Sequence, residues 1–336
     1  MTTKPRIVVP DLIYEVTSKG ARGVNVFSSL DLKTFFLKEL AHTLQMFSYH
    51  CYAWSIMDDH YHLVLKSSEI PISIFMQRLN SVYAKHYNRV RNESGVVFCR
   101  RYASIIVQDS GLKELVRYVH LNPVRCGTCT LEQLDTYEWC GHRILLDNDS
   151  DHFQNTNDVL KMFSGSDAAK AYGDYVHSEI SEYQNAKIIK HIRDANRGKE
   201  NFFKCEPWVL GTLNFVKETL EKDRSRRARI AQHIHDNITL ETIHEKVEMS
   251  LNLFKDDLFH QGRFDVRATA RLLFAYIGKL RFDFSGTSLA SYLGVSGSAI
   301  TRMISRCKSV LNIDFLINFI LRKIRMKQVT EIAALI

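Results

Sequence analysis

The sequence predicts an α+β chain: an antiparallel sheet with helices in its first part, then an all-α region with a helix-turn-helix. Three stretches carry that prediction. Residues 54–65 are a β-prone apolar run around His60, Tyr61 and His62. Residues 110–125 read as a helix with apolar side chains at helical spacing, and residues 287–306 read as two short helices about a glycine.

The first stretch reads as a buried strand because Trp54 and Ile56 precede the histidines and Leu63, Val64 and Leu65 follow them. Side chains alternate along a strand, so His60 and His62 share one face and Tyr61 takes the other. Two imidazoles on one face outline a metal site, although a bare His-x-His also occurs as ordinary structure. In the second stretch Ser110 is placed to cap a helix, and Leu112, Leu115, Val116 and Val119 form its apolar stripe. Tyr118 and Asn122 are four apart, so a phenol and an amide share a helix face. Pro123 disfavours helical geometry at Asn122, and the helix is expected to kink or end there.

The 336 residues carry 45 Lys and Arg against 37 Asp and Glu, a net charge of +8. An excess of that size does not name a partner by itself. Its distribution says more: Arg78, Lys85, Arg89, Arg91, Arg100 and Arg101 lie within residues 78–101 against the single acid Glu93, with Tyr83, Tyr87, Phe98 and Tyr102 interleaved. Cations that follow phosphates beside rings that stack on bases suit single-stranded nucleic acid. The same pattern also describes a solvated helix face whose aromatics turn into the core.

Hydrophobic content of 45% and charged content of 24% are those of an ordinary globular protein. Two domains or more are expected from the length, and no apolar run is long enough to cross a bilayer. The polar start of the chain lacks a signal-peptide core, so a cytoplasmic location is expected. Seven cysteines, an odd number without a regular framework, fit reduced thiols. Cys126, Cys129, Cys140 and His142 have the ligand types of a structural zinc site at an irregular spacing.

Residues 146–158 are polar, acidic and aperiodic, and read as the linker that closes the first domain. Helical patterns follow over about 158–184 and 208–220, then a basic run over 222–229. The boundaries expected are a first domain at 1–146, a connecting region at 147–205 and a helical domain at 206–336. Within the last, Leu289, Ala290 and Leu293 lie on one short helix, Gly294 at the turn, and Ile300, Met303 and Ile304 on the next, which Ser296 caps. Ser298, Thr301, Arg302 and Arg306 are then expected to meet the major groove or phosphates of duplex DNA.

At the two motifs the chain resembles the HUH single-tyrosine transposases, and specifically their REP-associated branch. His60, Tyr61 and His62, with Met57 upstream, are similar to that family's paired-histidine signature. The segment from Arg117 and Tyr118 through Asn122, Pro123, Val124 and Arg125 resembles the one that holds its nucleophile, and Tyr137 and Trp139 resemble the pair that closes its catalytic domain. Residues 77–88 and 98–104 are similar to the stretch between, so the likeness covers about residues 8–145. Residues 267–276 with the helix pair resemble the DnaA C-terminal-like domain of some longer members. The chain departs at Glu15, where the family's first strand commonly has histidine, at Asp58 and Asp59, which replace a usual Pro-Asn, and at His120, where many members have an acid. Asp58, of the same parity as the histidines, is read either as a further carboxylate near the metal or as a solvated turn acid.

The resemblance implies a ferredoxin-like, RRM-like sheet, a catalytic unit able to dimerise, and a hairpin-forming repeat cut beside its stem. Transesterification at a DNA phosphate needs a nucleophile in line with phosphorus and a Lewis acid on the phosphate oxygens. Tyr118 supplies the first in this reading, through a covalent phosphotyrosine. Mg2+ or Mn2+ on His60, His62 and Asn122 supplies the second. Tyrosine's ordinary pKa of about 10 calls for help from the metal, a general base, or a basic neighbour such as Arg117 or Lys113. Arg117 and Arg125 join the DNA-contacting cations. The rival readings are a catalytically silent DNA-binding regulator on the same scaffold, and a structural zinc protein.

Overall fold

The computed structural model describes residues 7–99, 101–149, 152–165, 167–178, 209–235, 238–260, 265–307, 310 and 313–333. They divide into two compact units, Met1–Asp223 and Arg224–Ile336.

The first unit is built on a sheet of β1 (Ile13–Lys19), β2 (His50–Ile56), β3 (His60–Lys66), β4 (Ala103–Val107) and β5 (Val209–Leu210), in the order β2-β3-β1-β4-β5. Helix α1 (Leu30–Phe47) joins β1 to β2, and α2 (Ile72–Arg91) joins β3 to β4. The first four strands pair antiparallel in the βαββαβ order of a ferredoxin-like fold, as expected, and β5 adds to β4 in parallel. Ser29 caps α1 by accepting from Leu32 N, and α1 and α2 both end at left-handed polar residues, Ser48 and Asn92. The run over 54–65 forms two strands and not one. Met57, Asp58 and Asp59 turn the chain, and Met57 N donates to the His60 carbonyl at 2.9 Å.

Alternation then sorts the sheet's two faces. Tyr61 enters the layer under α1 and α2, where its ring meets Phe36 at 4.6 Å and Phe27 at 6.0 Å between centroids. Val64, of the same parity as His60 and His62, packs on the opposite face with Leu115, Val116 and Val119 of α3 (Leu112–His120). The predicted apolar stripe is the face that docks. Ser110 does not cap this helix: it lies in the 3-10 turn Asp109–Gly111, and Gly111 stands at the cap with no side-chain bond. Pro123 interrupts the helix as expected, because it has no N–H for the Val119 carbonyl. A four-residue helix, α4 (Asn122–Arg125), follows after Leu121.

The sheet-bearing unit continues beyond residue 146, which corrects the predicted linker. After α5 (His142–Leu146), Asn155 N donates to the Cys51 carbonyl at 2.7 Å, and Gln154 is buried with its amide on the Gly141 carbonyl. Polar residues here satisfy the edge of β2. Helices α6 (Thr156–Leu160) and α7 (Ala168–His177) add Val159, Tyr172 and Val176 to the core under α3.

In the second unit the expected helix-turn-helix is present as Gly286–Leu293 and Gly297–Cys307. Gly294 turns between them at φ 64°, where its lack of Cβ is needed. Ser285 and Ser296 cap the two helices, and Leu289, Leu293, Ile300 and Ile304 are buried. The helix Val266–Leu280 supplies Leu273, Phe274 and Ile277 to this unit's core. The basic run at 222–229 lies in the helix Leu213–His235. Among the described residues, no helix is long and apolar enough to cross a membrane.

Leu115 is fully buried where α3 meets the sheet. Leu115→Ala is expected to lower stability by about 2–5 kcal/mol, through lost burial and the cavity left behind, measured by denaturant unfolding. A loss under about 1 kcal/mol contradicts a close-packed seat for α3.

Candidate functional site

His60 and His62 face the same way, with ring centroids 5.3 Å apart. Each has a carboxylate on its Nδ1. For His62 it is Glu15, on the adjacent central strand, whose Oε1 lies 2.7 Å away and also accepts from Thr17 Oγ1 at 2.7 Å. For His60 it is Asp59, in the hairpin turn, with Oδ1 at 2.5 Å. An imidazole that donates its Nδ1–H to a carboxylate is fixed in one tautomer and leaves Nε2 as the donor to a metal. Burial, then the neighbouring His62, lowers the pKa of His60 and so favours the neutral ring that a metal requires. Burial works against ionisation of Asp59, but hydrogen bonds from Lys19 and His60 keep its carboxyl below the ordinary range. The donor set fits a divalent cation.

Glu15 and Asp59 were not singled out as site residues from sequence. Glu15 is fully buried with Oε2 lacking a hydrogen-bond partner among the described residues. Its sequence signals are its place where the resembled family commonly has histidine and its parity: in the β1–β3 register it stands opposite Val64, two residues from the Thr17–His62 pair and on the same face. Asp58, weighed for the metal, proves to be a turn acid, 57% exposed and paired with Lys33 Nζ at 3.0 Å.

Helix α3 brings Tyr118 against this pair, its ring edge-to-face with His62 at 6.0 Å between centroids. Asn122 is buried at the start of α4, one turn after Tyr118, and its amide nitrogen donates to the backbone carbonyl of Tyr118 at 3.4 Å. The basic neighbour of Tyr118 is Arg125: its guanidinium lies 4.4 Å from the ring centre and donates to the Tyr118 carbonyl at 2.7 Å. The sequence candidates for that task point elsewhere. Arg117 is buried, stacked 5.0 Å from the Tyr175 ring and bonded to the Ser178 carbonyl, while Lys113 lies over Phe163 and Tyr175. A helix turns about 100° per residue, so a side chain adjacent in sequence faces away. Arg117 is therefore corrected both as an activator and as a DNA contact. Tyr137 and Trp139 both meet the end of β2 at Ile56: the Trp139 carbonyl accepts from Ile56 N at 2.9 Å, and the Tyr137 hydroxyl donates to the Ile56 carbonyl at 3.5 Å.

The basic stretch at 78–101 is only partly free. Lys85, Arg89, Arg91 and Arg101 are exposed, Arg91 with its Nε 3.8 Å from Glu93 and Arg89 with its guanidinium 3.2 Å from His86 Nδ1. Arg78 is tied to Glu39 at 2.8 Å, which removes it from the candidates for phosphate contact. Arg100 lies outside the described residues. Tyr83, Tyr87, Phe98 and Tyr102 are buried, which takes their rings out of reach of a base. Tyr83 packs on Phe27 and Phe36 and donates to the Val26 carbonyl, because α2 needs its apolar face for the core. In the second unit Ser298, Arg302 and Arg306 are exposed on Gly297–Cys307, and Thr301 is half-buried beside them. The four predicted zinc ligands do not come together among the described residues. Cys140 is buried on the His120 carbonyl, and His142 turns instead to Asp135.

Residues 11–122 match the family model described as "Transposase IS200 like". The chromosomal replication initiator protein DnaA of Campylobacter concisus (strain 13826) is 27% identical over 160 residues, which are 47% of this chain and 35% of that protein. The chain thus spans about a third of that relative's length. A solved structure described as "Structure of the REP associates tyrosine transposase bound to a REP hairpin" has a TM-score of 0.38 and 12% identity, over 50% of this chain and 96% of that one.

Glu15→Gln keeps the shape of the side chain but not the charge that orients His62. It is expected to weaken Mn2+ binding about 10–100-fold by calorimetry, and unchanged affinity contradicts the positioning role of Glu15.

Proposed function

We propose, from the match of residues 11–122 to the IS200-like transposase family model, that this chain is a single-strand DNA endonuclease and strand transferase with Tyr118 as nucleophile. One observation carries the reading. Two imidazoles, each fixed at Nδ1 by a carboxylate, present their other nitrogens on the sheet face that Tyr118 meets at 6.0 Å from His62. A packing tyrosine needs neither the paired carboxylates nor a guanidinium over its ring.

The phenol oxygen of Tyr118 attacks the scissile phosphorus, forming a phosphotyrosine bond and releasing a sugar hydroxyl that takes up a proton. The covalent link conserves the phosphodiester's energy until another strand's hydroxyl attacks and restores the phenol. Arg125, lying over the ring, stabilises negative charge on the phenolate and near the phosphate. Glu15 and Asp59 keep His60 and His62 in the ligand tautomer. These histidines, with Asn122 as oxygen donor, are the residues that hold a divalent ion, Mg2+ or Mn2+, and when bound the ion acts as a Lewis acid on the phosphate oxygens. Lys85, Arg89, Arg91 and Arg101 supply exposed charge for the strand's backbone. By the sequence resemblance to the REP-associated branch, the substrate is single-stranded DNA beside a hairpin stem. The helix-turn-helix brings duplex DNA to Ser298, Thr301, Arg302 and Arg306.

Incubation with labelled single-stranded hairpin DNA and Mg2+ or Mn2+ is expected to give a covalent adduct stable to denaturing electrophoresis, lost in Tyr118→Phe with hairpin binding retained. Binding with no adduct under either metal contradicts the enzyme reading and favours the silent regulator. For the second unit, Arg302→Ala is expected to weaken duplex binding and to reduce the salt slope by about 1. An unaltered slope removes Arg302 from the phosphate contacts.

A further inference from the structure

A second cluster with metal-binding chemistry lies below α3, built from residues outside the paired histidines. Asp135 sits in the 3-10 turn Leu134–Thr136, His142 at the start of α5, and His177 at the end of α7. One carboxylate oxygen, Asp135 Oδ1, lies 2.9 Å from His142 Nε2 and 2.9 Å from His177 Nε2. Among the described residues, this is the only set of three or more His, Cys, Asp or Glu side chains whose ligand atoms all lie within 4.8 Å of one another.

The surroundings resemble a supported ligand shell. His142 is fully buried, and its Nδ1 meets the Tyr172 hydroxyl at 2.5 Å, so Nε2 is the nitrogen left to face Asp135 and His177. The Tyr172 hydroxyl in turn lies 2.7 Å from His120 Nδ1, which gives His142 an ordered outer partner of the kind that fixes metal-binding imidazoles. On the other side, the Asp135 and His177 side chains are 45% and 36% exposed, so two of the three ligands reach solvent. Ligands at about 2.0–2.1 Å around a tetrahedral ion lie roughly 3.3 Å apart; the two Asp135–histidine separations need lengthen by only a few tenths of an ångström to reach that, and the two imidazole nitrogens lie within 4.8 Å of each other. Two imidazoles and a carboxylate are donors that a borderline transition ion such as Zn2+ accepts.

The geometry points to a structural zinc-class site on Asp135, His142 and His177, which clips the end of α7 to the segment after the nucleophile helix. The ion replaces the hydrogen bonds that now join the three side chains. Bound, it ties together elements that otherwise meet through half-exposed polar contacts, and α7 buries Tyr172 and Val176 in the core that seats Tyr118.

The test uses the full chain carrying His60→Ala and His62→Ala, stripped with chelator and titrated with Zn2+ against a chromogenic chelator. About one zinc per chain is expected, together with a rise in the thermal unfolding midpoint. Adding His177→Ala is expected to weaken zinc binding at least tenfold and to abolish the rise. In the chain with its paired histidines intact, His177→Ala is expected to lose one zinc relative to the unaltered protein. This comparison decides the matter if the double variant does not fold. No zinc bound by the double variant, or the same zinc bound with and without His177, overturns the proposal. So does zinc that survives His177→Ala and is lost with Cys126→Ser and Cys129→Ser.

Discussion

The candidate site depends on a buried contact between a carboxylate and an imidazole, Glu15 with His62. It spans the two central strands of the sheet, β1 and β3, whose register is set by the apolar residues around it: Val16 opposite Leu63, and Glu15 opposite Val64. A slip of one residue sends Glu15 to the other face, removes the partner of His62 and puts Tyr61 where a ligand is needed. A carboxylate with no exposed surface is costly in a core unless it is paired. The pairing of Glu15 with His62 and Thr17 therefore ties the sheet's alignment to the chemistry on its surface.

The second requirement is that a helix cross the histidine-bearing face at the right height. The apolar stripe of α3 settles it. Leu112, Leu115, Val116 and Val119 lie against Val64 and Ile105, and that seat carries the Tyr118 ring to His62. Pro123 then ends the ladder, and the short helix after it returns Arg125 over the Tyr118 ring. Arg117, adjacent to Tyr118 in the chain, is carried to the far side and supports the packing of Tyr175 and Ser178. Sequence proximity and spatial proximity part within a single turn of helix.

Much of the fold and the centre of the site were legible because they rest on local periodicity. The common face of His60 and His62, the amphipathic helix with Tyr118, the break at Pro123 and the Gly294 turn each follow from spacing within a few residues. The basic stretch was less legible. Its cations read as exposed and several are, but the Tyr83, Tyr87, Phe98 and Tyr102 rings fill the core, because a helix on a sheet spends its aromatics on packing first. The predicted linker failed for a related reason. Polarity marks a segment that needs hydrogen bonds, not where it finds them, and Gln154 and Asn155 find theirs on the backbone around β2.

The sequence by itself determined which residue types share a face and which elements form, since those depend on alternation, helical repeat, caps and prolines within a few positions. Only the tertiary structure decided the company each side chain keeps. It set Glu15 and Asp59 behind the histidines and Arg125 over Tyr118, and it turned His142 from the cysteines to Asp135 and His177. Those partners come from different elements, and their distances are fixed by register and docking, which no single segment encodes.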